Sequence, residues 1–133
     1  MARPSPALVE QPSPVARVLV VDDDADILES LAEILELEGY EVRRARNGEE
    51  ALASLSRGPV DVILLDLVMP VMNGWEFSRR LAQRPPGERA PLVVVSADRN
   101  VAQKAREIGA AAWLGKPFEL DALFARLREV LSP

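Results

Sequence analysis

VDVILLDLVMPVMNG, residues 60–74, holds an apolar run, Val62 to Leu65, that leads into a single carboxylate, Asp66. Three apolar residues follow, then Pro70 and the pair Asn73-Gly74. A short, uninterrupted apolar run suits a strand buried on both faces, as in a parallel sheet. Pro70 cannot continue that strand, and Asn-Gly marks a loop before the next element. Asp66 is therefore expected at the carboxyl end of a central strand. In open α/β sheets that is the edge where ligands bind.

Upstream, Arg17 to Val21 (RVLVV) reads as another buried strand, stopping at Asp22-Asp23-Asp24. The helix after it carries Ile27, Leu28, Leu31, Ile34 and Leu35 on one stripe. Asp24 is expected to cap it, Asp26 to favour its first turn and Gly39 to end it. Tyr40 to Ala45 is a more polar strand, expected at an edge. Asn47-Gly48 turns into a short helix, Glu49 to Ser56, with Ala51, Leu52 and Leu55 inward, and Gly58-Pro59 ends it.

Downstream of Gly74 a helix runs to about Gln83, followed by a loop at 84–91 built from Pro and Gly. Leu92 to Val95 is a fully apolar strand ending at Ser96-Ala97-Asp98. A helix is expected from about Asn100 to Ile108, a brief strand from Ala111 to Leu114, and a turn at Gly115-Lys116-Pro117. Leu120, Leu123, Phe124, Leu127 and Leu131 stripe a last helix, read as core rather than as a partner groove. Residues 1–16 hold four prolines and two serines without a period and read as a flexible tail, which leaves 17–131 as the folded domain.

The 133 residues suffice for one domain with one core. No apolar run approaches the roughly 20 residues needed to span a bilayer. The N-terminus has no apolar segment of the secretory kind. Cysteine is absent, which excludes disulfides and thiolate chemistry and fits a reducing, cytoplasmic setting. Histidine is absent too, which removes the usual general base and any phosphohistidine on this chain. A net charge of −5 argues against direct nucleic-acid binding through a basic surface. Only Lys104 and Lys116 are lysines in a chain that otherwise uses Arg, so a compact ammonium is expected to matter where one stands.

Five strands alternating with five helices predict a parallel sheet covered on both faces, a doubly wound (βα)5 three-layer sandwich. Right-handed crossovers favour the flavodoxin-like order 2-1-3-4-5, whose switch point lies between strands 1 and 3. Four strand ends then deliver polar groups to one edge: Asp22 and Asp23, Asp66, the hydroxyl of Ser96, and Lys116. Clustered carboxylates repel one another unless a cation intervenes, and oxygen ligands with room for water suit Mg²⁺, with Mn²⁺ as the alternative. A hydroxyl and an ammonium are what a phosphoryl group needs on its other side. Phosphoryl transfer to an Asp is mainly positioning and charge neutralisation, so the missing His is no obstacle.

At these residues the chain resembles a receiver domain of a two-component response regulator. VLVVDDD, LLDLVMPVMNG, VVVSA and WLGKPF stand in that family's order and spacing across residues 17–131. The resemblance implies Asp66 as phosphoacceptor. It implies Asp22 and Asp23 as metal-holding acids, Asp23 directly, with Asp66 and the Val68 backbone carbonyl as further ligands. Ser96 and Lys116 would bind phosphoryl oxygens, and the Lys116-Pro117 bond would be cis. Ser96 and Trp113 would form the switch, moving the face of the fourth helix, fifth strand and last helix. The implied donor is a histidine kinase or histidine phosphotransfer protein. The reader of the switch would be a protein partner or output domain, and a phosphorylation-dependent homodimer is compatible with the family. The chain would be a signalling domain that catalyses only its own phosphorylation and dephosphorylation, cytoplasmic and without membrane contact.

Several positions depart from the family pattern. Trp113 stands where Tyr or Phe is usual, so a restricted switch and plain packing are both open readings. Ala111-Ala112 replace residues that are often polar. Val68 is apolar and Asp98 acidic at two positions that influence phosphoryl hydrolysis in the family. Two other functions compete. A haloacid-dehalogenase-type phosphatase would use Asp22-Asp23-Asp24, Ser96 and Lys116, but it needs further acids on a strand after the Lys, and only Glu119 and Asp121 follow. A phosphorylation-independent scaffold would be expected to lack one of the key groups, and none is missing.

Overall fold

The computed structural model describes residues 15–67 and 71–132. The elements are β1 (Arg17–Val21), α1 (Ala25–Leu37), β2 (Glu41–Ala45), α2 (Gly48–Ser56), β3 (Val62–Asp66), α3 (Gly74–Ala82), β4 (Leu92–Ser96), α4 (Val101–Glu107), β5 (Ala112–Gly115) and α5 (Leu120–Leu131), with one 3₁₀ turn at Pro86–Glu88. All strand pairs are parallel, and the sheet order is β2-β1-β3-β4-β5, as expected from the crossover argument. β2 is an edge strand, in keeping with its polar sequence.

Alternation along the central strands feeds two core layers. Leu19, Val21, Ile63 and Leu65 pack with Ala51, Leu52 and Leu55 of α2 and Phe77 and Leu81 of α3. Val18, Val20, Val62, Leu64, Val93 and Val95 pack with Leu28, Leu31 and Leu35 of α1 and Leu123 and Leu127 of α5. Val94 points the other way, into a smaller cluster with Leu67 and with Val101 and Ala105 of α4. The sheet is thus sandwiched between α1 and α5 on one side and α2, α3 and α4 on the other.

Helix starts follow local chemistry. The Asp24 carboxylate accepts from the N–H groups of Asp26 and Ile27, and Gly39 takes the left-handed conformation just past α1 (φ +103°). Both Asn-Gly pairs are helix starts rather than free turns. Asn47 and Asn73 accept from the N–H of Glu50 and Glu76, and each following Gly opens its helix. Those glycines sit at close approaches. A Cβ on Gly48 would lie 2.7 Å from Met72 Sδ, and one on Gly74 would lie 3.1 Å from the Leu67 carbonyl oxygen.

Some expectations are corrected. Ile27 and Leu120 lie at the margins of their stripes and are 39% and 43% exposed, while the unremarked Ala32 is fully buried. A small side chain reaches deepest where a helix sits closest to the sheet. In the last helix Leu123 and Leu127 are fully buried and Phe124 and Leu131 pack partly buried against the same core, so of the stripe only Leu120 lies outside it. The helix expected from about Asn100 to Ile108 spans Val101–Glu107, and the Asp98 side chain accepts from the Asn100 N–H just before it. The expected tail 1–16 falls outside the described residues except at its end, where the Ala16 carbonyl accepts from Glu41 N–H and so belongs to the sheet margin.

Candidate functional site

The carboxyl ends of β1, β3, β4 and β5 meet at one edge of the sheet. Asp22 is buried directly after β1, its N–H held by the Ala45 carbonyl at the end of β2. One of its oxygens accepts from the Asp24 N–H at 2.9 Å, which turns the chain and leaves Asp23 outward-facing and exposed. Asp66 closes β3 and is half-buried. The three side chains each offer a carboxylate oxygen, all within 4.8 Å of one another. Among the described residues these are the acids that converge; Glu119 and Asp121 are exposed at the start of α5 and stand apart from them.

Lys116 supplies the opposing charge. Its Nζ lies 3.6 Å from Asp22 Oδ2 and 3.7 Å from Asp66 Oδ2. The Lys116–Pro117 bond is cis, and the Lys116 N–H donates to the Ser96 carbonyl at 2.8 Å. Ser96 ends β4 and is 4% exposed. Its Oγ accepts from the Asp98 N–H at 3.1 Å, which leaves its own proton to donate elsewhere. Asp66, Ser96, Ala97, Asp98 and Lys116 line an open cleft of about 480 Å³. Such an arrangement, carboxylate oxygens beside an ammonium and a hydroxyl, has the chemistry to accept a tetrahedral oxyanion next to a hard cation.

A model of the response regulator receiver domain matches residues 18–128. The chain belongs to that family. The receiver domain is 35% identical to the chemotaxis response regulator CheY4 of Vibrio cholerae, with a TM-score of 0.80 over 88% of this chain and 99% of that one. It is 32% identical to the response regulator TrrA of Thermotoga maritima, solved in complex with Mg²⁺–BeF, with a TM-score of 0.77 over 88% of this chain and all of that one. Among curated proteins it is 39% identical to the response regulator MprA of Mycobacterium leprae over 117 residues, 86% of this chain. It spans half the length of that relative. The protein is therefore a signalling domain of two-component systems, and acidic pockets of this kind hold Mg²⁺ in receiver domains.

Of the residues named from sequence, the fold gathers Asp22, Asp23, Asp66, Ser96 and Lys116. Val68 lies outside the described residues. Trp113 stays out of the cleft: it is half-buried against the Leu67–Val94–Val101–Ala105 cluster, with the Arg106 guanidinium 5.6 Å from its ring centroid. Asp98 lines the cleft and pairs with Lys104, an arrangement that sequence reasoning missed. The lone signal was the scarcity of lysine. The Lys104 ammonium and the bond to Asn100 N–H hold the Asp98 carboxyl below its ordinary pKa.

Proposed function

We propose that the receiver domain accepts a phosphoryl group on Asp66 from a phosphohistidine of a histidine kinase or histidine phosphotransfer protein. An Asp66 oxygen attacks phosphorus, the P–N bond breaks, and the donor imidazole leaves with the electron pair. The observation that carries this reading is the convergence of Asp22, Asp23 and Asp66 beneath the Lys116 ammonium.

The residues present fit a hard divalent cation, because only oxygen donors converge and nearby charge is only partly offset by Lys116. Asp22, Asp23 and Asp66 would hold Mg²⁺, or Mn²⁺, with the Val68 carbonyl as a further ligand. When bound, the ion would neutralise charge on the transferred group. Lys116 exchanges a carboxylate partner for a phosphoryl oxygen. Ser96 donates its hydroxyl proton to another and draws the end of β4 inward. That displacement shifts an existing equilibrium on the face of α4, β5 and α5, where Trp113 packs under α4. A partner protein, an output domain or a second copy would read that face. A cytoplasmic location fits a chain without cysteine, in which no described helix is long and apolar enough to cross a membrane.

Beryllofluoride with Mg²⁺ should move the amide NMR signals of Ser96, Lys116 and the α4–β5–α5 face. An unchanged spectrum would sink the reading. Asp66→Asn should lose phosphoryl uptake from acetyl phosphate, and uptake at the wild-type rate would remove Asp66 as the acceptor.

A further inference from the structure

Lys116 is absorbed by the site; Lys104, the only other lysine, is not. Lys104 stands on α4, and its ammonium pairs with the Asp98 carboxylate at the rim of the cleft. The same ammonium lies 5.8 Å from the centroid of Trp75. Trp75 follows Gly74, whose N–H donates to the carbonyl of Leu67, the residue next to Asp66. One cation therefore links the segment just past β4 to the base of α3.

The charge arithmetic gives that tie a purpose. Asp22, Asp23 and Asp66 converge and Asp98 lines the cleft beside Asp66, while Lys116 pairs with Asp22 and Asp66. The remaining carboxylate, Asp98, is drawn toward α4 by Lys104, while its second oxygen is occupied by the Asn100 N–H. Without Lys104 an uncompensated carboxylate would stand where an anionic donor must enter, and like charges at such range repel.

We infer that Lys104 is a positioning residue for phosphoryl transfer: it holds Asp98 neutralised against α4 so that an anionic phosphodonor can reach Asp66. The inference deepens the phosphoacceptor reading and rests on it. Lys104→Met keeps an apolar stem over Trp75 and removes the charge. With Mg²⁺ and dianionic acetyl phosphate, followed by intact mass, it should slow phosphorylation by about threefold to tenfold. With the less anionic phosphoramidate, or at high salt, the loss should shrink. Lys104→Arg should retain the rate, and adding Asp98→Asn to Lys104→Met should recover most of it.

Lys104→Met at the wild-type rate overturns the inference. So does a double variant as slow as the single one, because a purely structural clamp on α4 would not be rescued by removing Asp98. A wild-type chain that accepts no phosphoryl group and ignores beryllofluoride overturns the phosphoacceptor reading itself, and this inference with it.

Discussion

Val71 adopts φ +73° while 74% exposed, in the loop that follows Asp66. A β-branched side chain is strained in that left-handed region, and exposure leaves it little packing in return. Val71→Gly should therefore stabilise the fold by about 1 kcal/mol, read as a higher denaturant midpoint at unchanged slope. Asp98 carries a pH prediction. Its folded pKa lies below the ordinary 3.8, chiefly through Lys104, so its native state binds a proton less readily than the unfolded chain. Its contribution is present above the unfolded value and lost as pH falls through the folded one. Urea melts should show wild type ahead of Asp98→Asn above about pH 5, with the gap closing toward pH 3. Single residues also mark the limit of sequence reading. Asp66 was legible because an apolar run ends on it. The Lys104–Asp98 pair was not, because it joins a loop to a helix across a spacing that no helical or strand period relates.

At the level of elements, the strands were legible because they are buried on both faces and carry no polar interruption. Helix margins were less so. Ile27 and Leu120 satisfy the helical period yet sit where the helices diverge from the sheet. The Asn-Gly pairs were read as turns, since their second role needs the distant partner: Gly48 meets Met72, and Gly74 meets Leu67. Gly48→Ala would drive a methyl against Met72, which is 2% exposed and meets it with Cβ and Cγ as well as the sulfur. The expected cost is about 1–3 kcal/mol, measurable as a lower urea midpoint. The Arg44 guanidinium, bridging Glu29 and Glu36 on α1, fastens edge strand β2 from outside. Such exposed pairs contribute only about 0–1 kcal/mol, so the strand's place depends on its ladder with β1 and on Ala45.

For the whole molecule, the proposed cation binding would be linked to folding, because the carboxylate cluster exists only when β1 and β3 lie side by side. Mg²⁺ at ten times its dissociation constant should add about 1.4 kcal/mol to the stability of wild type. Asp23→Ala should lose that increment, which paired thermal melts with and without the ion would show. The domain's sheet order followed from the alternation of five strands with five helices and from crossover handedness. The orientation of Trp113, packed under α4 rather than into the cleft, did not, because it depends on how the short α4 seats on Val94.

The Lys116 N–H reaches the Ser96 carbonyl, one rung beyond the pairing of Ser96 with Gly115. The hydroxyl and the ammonium proposed to grip the same oxyanion are therefore mounted on one backbone rung. They form a jaw whose two halves share a hinge, so a displacement of the backbone at the end of either strand is passed to the mount of the other.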